Sequence, residues 1–135
     1  MLKYMLDTNI VIYVIKRRPI EVLETFNRHA EQLCISSITF AELIHGAEKS
    51  GCPEHNLRQV EDFVSRLEVL AYGRKAAAHY GDIRADLERK GRPIGVNDLH
   101  IAGHARSEGM TLVSNNLREF ERVEGLRVVN WIDGG

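Results

Sequence analysis

Short apolar runs that end at a polar residue alternate along this chain with segments of helical spacing. Residues 3–6 lead into Asp7, residues 33–35 lead into Ser36, and residues 110–113 lead into Ser114. Strands that alternate with helices usually pair in parallel, because a parallel connection must cross back over the sheet and is most often helical. The pattern therefore predicts an α/β fold, a three-layer α/β/α sandwich around a mostly parallel central sheet of about four or five strands.

Spacing and turn signals set the expected bounds of each element. The predicted strands are 2–6, 33–37, 68–71, 110–114 and 126–129, and the predicted helices are 10–15, 21–30, 39–49, 54–67, 75–90 and 98–107. Thr39 is expected to cap the third helix and Asp98 to begin the sixth, since Thr and Asp are favoured at helix starts. Without repeats or linkers, residues 1–135 are expected to form one domain.

Composition narrows the class of protein. With 44% hydrophobic residues, 27% charged residues and a net charge of -1, the chain has the profile of an ordinary globular protein. No apolar run approaches the ~18 residues of a membrane span, and the N-terminus lacks a signal-peptide pattern. Two cysteines are too few for a disulfide framework. We therefore expect a cytoplasmic protein that makes no contact with a membrane.

Positive charge is grouped locally and is not in excess. Lys16-Arg17-Arg18, and Arg89-Lys90 together with Arg92, could form a basic rim for a phosphate backbone. Solvated helix ends, where cations meet the negative end of the helix dipole, explain these groups equally well. Charge alone therefore does not identify a nucleic-acid partner.

Three acidic residues are candidates for chemistry, and each also has a plainer explanation. Asp7 lies where a predicted strand meets a helix, although a helix cap would account for it. Glu42 lies opposite the apolar stripe of its helix, so periodicity alone favours a solvated side chain. Asp98 shares the inward stripe of its helix with Ile101 and Ala102, which either a cap or a buried function could explain.

The case for chemistry becomes stronger if these carboxylates converge. Gathered around one point, they would repel one another by ~4 kcal/mol per pair at ~4 Å and an effective dielectric near 20. A cation would relieve that repulsion, and hard oxygen ligands favour Mg²⁺ or Mn²⁺. Such a metal neutralises a phosphate oxygen and lowers the pKa of a bound water, so the site would cleave phosphodiesters.

Four blocks of the sequence resemble the four motifs of VapC toxins, in the same order. The blocks are Met5-Leu6-Asp7-Thr8-Asn9, residues 36–43 with Gly46, residues 95–102 and residues 112–120, followed by Trp131. They span nearly the whole chain, and together they are far more specific than any one of them. The resemblance implies a PIN-like fold, Mg²⁺-dependent endoribonuclease activity and inhibition by a cognate VapB antitoxin.

The resemblance also implies which side chains perform the reaction. Asp7 and Asp98 are the expected metal ligands, and Glu42 is expected to complete the catalytic acidic cluster. Thr8 and Asn9 would orient Asp7. These five residues come from the first three blocks.

The fourth block supplies supporting residues and one departure from the family pattern. Ser114 and Asn116 are expected to support the cluster. Many PIN domains carry an acidic residue where this chain has Asn116, whose amide offers an oxygen but no charge. Glu119 could compensate. We therefore expect one tightly held metal, with any second metal arriving with RNA.

The resemblance extends to substrate and partners. Residues 91–95 and 118–123 resemble the enteric branch of VapC toxins, whose members cut initiator tRNA in the anticodon stem-loop. The resemblance implies that substrate, a homodimer, and contact with operator DNA only through the antitoxin. An apolar surface groove formed by the helices over residues 21–67 is where we expect an antitoxin segment to bind.

Other functions fit the sequence less well. His100 and His104 have metal-binding spacing but lack the Glu of an HExxH zinc site, so a solvated pair is the preferred interpretation. A haloacid-dehalogenase-like phosphatase would need an acid where this chain has Asn9. No Gly-rich phosphate loop follows a predicted strand, which disfavours a nucleotide-binding enzyme. The alternative from another class is a catalytically inactive PIN-like module that only binds RNA or protein.

Overall fold

Five short parallel strands form the centre of the molecule in the computed structural model, which describes residues 1–132. The strands are β1 (Tyr4–Leu6), β2 (Leu33–Ser36), β3 (Glu68–Leu70), β4 (Thr111–Val113) and β5 (Arg127–Val129). They pair in the order β3-β2-β1-β4-β5, and every pairing is parallel. The predicted α/β fold and the predicted number of strands are confirmed.

Seven α-helices within residues 1–132 connect and cover the strands. They are α1 (Thr8–Lys16), α2 (Ile20–Arg28), α3 (Ser37–Glu48), α4 (Pro53–Val64), α5 (Arg74–Arg89), α6 (Val96–Ser107) and α7 (Leu117–Phe120). Helix α7 was not predicted, because four residues are too few to show a helical period. Within residues 1–132, no helix is both long enough and apolar enough to cross a membrane.

Side-chain alternation along the strands divides the core into two halves. Leu6 and Val113 pack against α1 to α4 on one face of the sheet, whereas Met5 and Leu112 pack against α5 and α6 on the other. Both faces of the central strands are therefore buried, which explains why these strands read as continuous apolar runs. The three-layer arrangement follows from this double burial.

Helices α5 and α6 approach each other closely at Gly103. A Cβ added there would lie 2.8 Å from the backbone nitrogen of Tyr80 and 3.1 Å from the carbonyl oxygen of Ala76. Such distances are shorter than van der Waals contact, so only glycine fits. The absence of a side chain lets α5 hold α6, the helix that carries Asp98, against the sheet.

Helix α3 begins earlier than predicted. Ser36, and not Thr39, caps it, with the Ser36 hydroxyl accepting a hydrogen bond from the backbone N–H of Ile38 at 3.0 Å. Thr39 lies inside the first turn, where its side chain is buried and its Oγ1 has no hydrogen-bond partner within residues 1–132. The Thr39 prediction was wrong because β2 runs into α3 without a loop, so the serine at the end of the strand becomes the cap.

The order of the strands reverses at β1. The chain first adds β2 and β3 on one side of β1 and then β4 and β5 on the other. In open parallel sheets such a reversal leaves a crevice beyond the carboxyl ends of the strands, where ligands bind. Asp7 follows β1 and Ser114 follows β4, so both residues lie at this crevice.

Candidate active site

Asp7 uses its two carboxylate oxygens for different purposes. Its Oδ1 accepts a hydrogen bond from the backbone N–H of Ile10 at 3.0 Å and thereby caps α1, while Oδ2 accepts one from the Ser114 hydroxyl at 2.5 Å. Burial raises the pKa of Asp7 above its usual value, and the nearby Glu42 charge raises it further, while these two hydrogen bonds lower it. Asp7 is therefore a helix cap and also an acid held at the crevice.

Ser114 positions Asp7 from the neighbouring strand. Its buried hydroxyl accepts a hydrogen bond from the backbone N–H of Asn116 at 2.9 Å. That hydroxyl donates to Asp7, and the backbone N–H of Asp7 donates to the carbonyl oxygen of Val113 at 3.0 Å. The ends of β1 and β4 are thus joined through both backbone and side chain.

Glu42 points toward the site and is half-buried. Its Oε1 accepts a hydrogen bond from the Thr8 hydroxyl at 2.6 Å, and its Oε2 accepts one from the Asn97 amide at 2.8 Å. The solvated side chain that periodicity favours is therefore wrong for Glu42. Asn97, which the sequence did not single out, is a positioning residue of this site.

Thr8 and Asn9 do not hold Asp7 in the way the resemblance implies. The Thr8 hydroxyl is directed to Glu42, as the 2.6 Å hydrogen bond shows. Asn9 is exposed, and its side chain makes no hydrogen bond with any residue in the described range 1–132. Ser114 and the first turn of α1 orient Asp7 instead.

Asp98 is the third residue of α6 and does not begin the helix. Gly95 occupies the cap position, so the capping interpretation of Asp98 is wrong. Burial raises the pKa of Asp98 to about 7, helped by a hydrogen bond and repulsion from Glu119 and by the charges of Asp7 and Glu42. A carboxyl group with this pKa lies where added negative charge is costly and a cation is favoured.

Two residues that follow β4 approach Asp98. The amide nitrogen of Asn116 lies 3.5 Å from Asp98 Oδ2. Glu119, on α7, raises the pKa of Asp98 through hydrogen bonding and through the repulsion of its charge. Glu119 therefore brings a fourth acidic group to the site. It was expected to supply the negative charge that Asn116 lacks.

The site has an excess of negative charge that the protein does not neutralise. Within residues 1–132, none of Asp7, Glu42, Asp98 and Glu119 forms an ion pair with a cationic side chain. Their oxygens, and the lack of an ion-pairing cation among the described residues, suit a hard divalent ion. The donor set thus fits Mg²⁺ or Mn²⁺.

The arrangement limits how many carboxylates one ion could bind. In the part of the chain that is described, no three His, Cys, Asp or Glu side chains are placed to hold a single ion. The negative charge of Glu42 nevertheless raises the pKa of Asp98. Charge repulsion acts over several ångströms, whereas a shared Mg²⁺ would need ligand oxygens ~2.1 Å from the ion. With Glu42 held by Thr8 and Asn97, Asp7 and Asp98 remain as the pair of carboxylates that Mg²⁺ typically uses alongside water.

His100 and His104 form part of the support beneath the site. His104 is buried, with Nδ1 2.8 Å from the Ser36 hydroxyl, whereas His100 stacks on Tyr80 at 4.2 Å and hydrogen-bonds to the Tyr72 hydroxyl. Burial lowers the pKa of both imidazoles. The predicted solvated pair is wrong, because α6 is surrounded by protein on nearly every side.

A second concave surface lies away from the acids, between α1, α2 and α4. This helical cleft has a volume of about 470 Å³. Its apolar floor includes Val14, Leu23 and Phe26, and its rim carries Arg17 and Arg58. A groove formed by helices over residues 21–67 was predicted, and the helical cleft lies there, although its lining is mixed and not simply apolar.

Comparison with known proteins places this geometry in a family. The PIN domain family model matches residues 4–126. Ribonuclease VapC2 of Haemophilus influenzae is 65% identical over 132 residues, covering 98% of this chain and 100% of that protein. The tRNA(fMet)-specific endonuclease VapC of Shigella flexneri is 59% identical, covering 97% of this chain and 99% of that protein.

Solved structures agree with the sequence comparison. The toxin chain in the crystal structure of DNA-bound VapBC from Salmonella typhimurium superposes with a TM-score of 0.93 at 58% identity, covering 97% of this chain and 99% of that one. The corresponding chain of VapBC2 from Rickettsia felis gives a TM-score of 0.90 at 42% identity, covering 96% and 99%. The chain therefore belongs to the PIN domain family and, within it, to the VapC ribonucleases.

Proposed function

We propose that this chain is the endoribonuclease toxin of a VapBC toxin-antitoxin pair, that it requires Mg²⁺ or Mn²⁺, and that it cleaves initiator tRNA in the anticodon stem-loop. One observation carries the proposal. Asp7, Glu42 and Glu119 lie near enough to Asp98, at the crevice where the strand order reverses, for their charges to raise its pKa, and no cation of the described residues forms an ion pair with any of the four.

Relatives support the choice of substrate. The proteins from Shigella flexneri and Salmonella typhimurium that are named tRNA(fMet)-specific endonucleases are 59% and 58% identical to this chain. Both alignments cover 97% of this chain. At this similarity a shared substrate is the simplest expectation, and it agrees with the resemblance of residues 91–95 and 118–123 to the same branch.

The side chains divide the work of hydrolysis among them. Asp7 and Asp98 would hold the divalent cation, which supplies charge neutralisation at the phosphate and a more acidic water. Ser114 keeps the Asp7 carboxylate turned toward the crevice. Glu42, fixed by two hydrogen bonds, would accept the proton of the attacking water through its remaining lone pairs.

The antitoxin proposal rests on the helical cleft and on the solved relatives. Several related toxins were crystallised as VapBC complexes, two of them bound to DNA. We place a VapB segment in the helical cleft, where an apolar floor and an arginine rim suit an amphipathic segment with acidic residues. A homodimer, and contact with operator DNA only through VapB, remain predictions.

Cleavage of RNA by purified protein tests the proposal. Wild-type protein should cut an initiator tRNA transcript in Mg²⁺ and fail in EDTA, while Asp7→Asn and Asp98→Asn should lose at least a hundredfold in rate. Asp62→Asn, a matched change at an exposed residue of α4, should retain wild-type activity. Equal residual cleavage in all variants and in EDTA would support the inactive binding module instead.

The substrate is tested separately from the chemistry. Wild-type protein incubated with total tRNA should cut initiator tRNA before other species, at a position within the anticodon stem-loop. If initiator tRNA stays intact while other RNAs are cut, the substrate proposal is refuted and the ribonuclease proposal stands.

A further inference from the structure

A cationic cleft, distinct from the helical cleft, is formed by residues that precede α6 and by residues in and just after α7. It has a volume of about 500 Å³ and is lined by Arg92, Arg118, Arg122 and one acid, Glu121. Arg92 belongs to the loop before α6, Arg118 belongs to α7, and Arg122 lies just after α7. Three arginines and one glutamate leave this arginine cleft with an excess of positive charge.

The arginines of this cleft are not used to neutralise acids of the protein. Over residues 1–132, none of the three forms an ion pair, which is also true of Arg28 and Arg58 but not of Arg66, Arg84 and Arg106. What sets the three apart is that they line one cleft. Of the predicted basic group Arg89-Lys90 with Arg92, the first two residues form ion pairs with nearby carboxylates. Their charge is therefore explained without a nucleic-acid partner.

Arg122 is the most firmly placed of the three. Its Nη1 donates a hydrogen bond to the carbonyl oxygen of Pro93 at 3.0 Å, which joins the loop before α6 to the end of α7. Its Nε has no acceptor among the described residues. The hydrogen bond to Pro93 therefore fixes the guanidinium where it lines the cleft, while the Nε itself is buried and does not face a ligand.

The location relates the cleft to the chemistry. Arg118 is adjacent in the chain to Glu119, the residue that raises the pKa of Asp98. Arg92 precedes by a few residues the start of α6, the helix that carries Asp98. The cationic arginine cleft and the anionic acidic site therefore take residues from the same two segments of the chain.

We propose that the arginine cleft binds the phosphate backbone of the RNA beside the scissile bond and so sets the register of the substrate in the acidic site. This inference rests on the proposed ribonuclease function. Guanidinium groups suit phosphates because their planar donors match two phosphate oxygens at once. Contacts of this kind position a nucleic acid without reading its sequence. They would also offset the repulsion between the backbone and four carboxylates.

Salt dependence of RNA binding tests the assignment most specifically. In an Asp98→Asn background, which prevents cleavage, affinity for an initiator tRNA transcript is measured against salt concentration. Arg92→Ala and Arg118→Ala should each weaken binding and reduce the slope of log K against log salt by roughly 0.7, the value for one lost phosphate contact in single-stranded regions. Glu121→Gln should tighten binding by a few fold.

A control keeps the change of charge constant. Arg28→Ala removes an exposed arginine of α2, on the other face of the sheet, and should leave both affinity and slope within error of the parent. In the cleavage-competent protein, the Arg92→Ala/Arg118→Ala pair should raise KM by about tenfold or more while kcat changes less than threefold. Thermal unfolding should confirm that these exposed substitutions leave the fold intact.

Three results would overturn the proposal. The first is an unchanged salt slope in both arginine variants, or an equal change in Arg28→Ala, while the wild type still cleaves RNA. The second is that Arg92→Ala and Arg118→Ala lose binding to a deca-glutamate peptide while their affinity for RNA is unchanged. That result would assign the cleft to an acidic protein. Potassium phosphate should compete no better than potassium chloride at equal ionic strength, and stronger competition would mark a site for free phosphate.

The two proposals fail in different ways. If the wild type binds RNA through these arginines but never cleaves it, the ribonuclease function fails and the arginine cleft stands. If the wild type cleaves RNA and the arginine variants have the same salt slope as their parent, the proposed role of the arginine cleft is refuted and the ribonuclease function stands.

Discussion

The hydroxyl of Ser114 donates a hydrogen bond to Oδ2 of Asp7, joining two side chains that are 107 positions apart in the chain. The bond crosses from the end of β4 to the end of β1, the neighbouring strands at which the sheet order reverses. Because both partners are buried, water does not compete with the bond. The position of the Asp7 carboxylate is therefore determined by the pairing of the two central strands.

Removing that hydroxyl should impair catalysis and shift its pH dependence. In Ser114→Ala, Asp7 loses a hydrogen bond that lowers its pKa, so the pKa should rise further above its usual value. The acidic limb of a kcat/KM profile should therefore move to higher pH. We also expect kcat/KM to fall about tenfold or more, in line with the ~1.5 to 3 kcal/mol of a hydrogen bond to a charged group.

The control for this change is Ser107→Ala. Ser107 is also a buried serine, but its hydroxyl donates to the carbonyl oxygen of His104, away from the acids. Its pH profile should match that of the wild type. Identical profiles for Ser114→Ala and the wild type would contradict the role given to Ser114.

Asp98 should make the metal-free protein less stable as pH rises. Its folded-state pKa, about 7, is above the ordinary value of 3.8, so the folded protein holds a proton that the unfolded chain has released. Stability contributed by the protonated form is present below about pH 4 and is lost as pH rises through about 7. In EDTA, Asp98→Asn should therefore raise Tm relative to wild type by an amount that grows between pH 4 and pH 7 and then levels off.

Differential scanning fluorimetry across that range checks the trend. Asp62→Asn, which removes an exposed ion-paired carboxylate, should show a nearly constant difference from the wild type. Addition of Mg²⁺ at pH 7.5 should raise the Tm of the wild type and not that of Asp98→Asn. A pH-independent difference between Asp98→Asn and the wild type would show that Asp98 is not perturbed.

The hydrogen bonds to Glu42 should matter for turnover and not for metal affinity. Thr8→Val and Asn97→Ala each remove one donor from the Glu42 carboxylate. We expect kcat to fall about fivefold to twentyfold in each, because a mobile carboxylate is a poorer proton acceptor, while Mg²⁺ affinity changes less than twofold. Thr25→Val, which removes an exposed hydroxyl of α2, serves as the matched control.

A double-mutant cycle distinguishes this role from general damage. If Thr8 acts through Glu42, then Thr8→Val should cost little in a Glu42→Gln background. Fully additive losses would instead mean that Thr8 contributes to the reaction by another route.

The parts of the site at strand ends could be predicted from sequence. Asp7 and Ser114 follow apolar runs, and parallel strands bring their carboxyl ends to one edge of the sheet, so their convergence follows from the fold class. The resemblance to VapC motifs then pointed to Asp98 and Glu42. Predicting all four residues therefore requires both the apolar runs at the strand ends and the resemblance to the VapC motifs.

Side-chain direction within helices could not be predicted in the same way. Glu42 is turned inward by partners that lie 34 and 55 positions away, and no local period encodes such contacts. His104 is buried because α6 packs against the sheet and against α5. Since buried residues lie on most sides of this helix, its sequence has no clear polar face from which the exposure of a histidine could be predicted. Tertiary packing overrode periodicity in both cases.

Gly103 should tolerate no side chain, in contrast to another glycine of the same helix pair. Gly103→Ala should destabilise the protein by about 2 kcal/mol or more, because its Cβ would meet the backbone of α5 at 2.8 to 3.1 Å. Gly81→Ala, inside α5 with no neighbour within 4 Å, should instead stabilise by about 0.5 to 1 kcal/mol. Urea denaturation of the two variants measures both values, and equal effects would contradict the close approach of the helices.

Titration of the RNA-free protein with Mn²⁺, followed by calorimetry and by the loss of the free-ion electron paramagnetic resonance signal, tests the central claim most directly. We expect one tight site at neutral pH, weakened at least tenfold in both Asp7→Asn and Asp98→Asn and almost unchanged in Thr8→Val. Two equally tight sites, or a site that both aspartate substitutions leave intact, would contradict it.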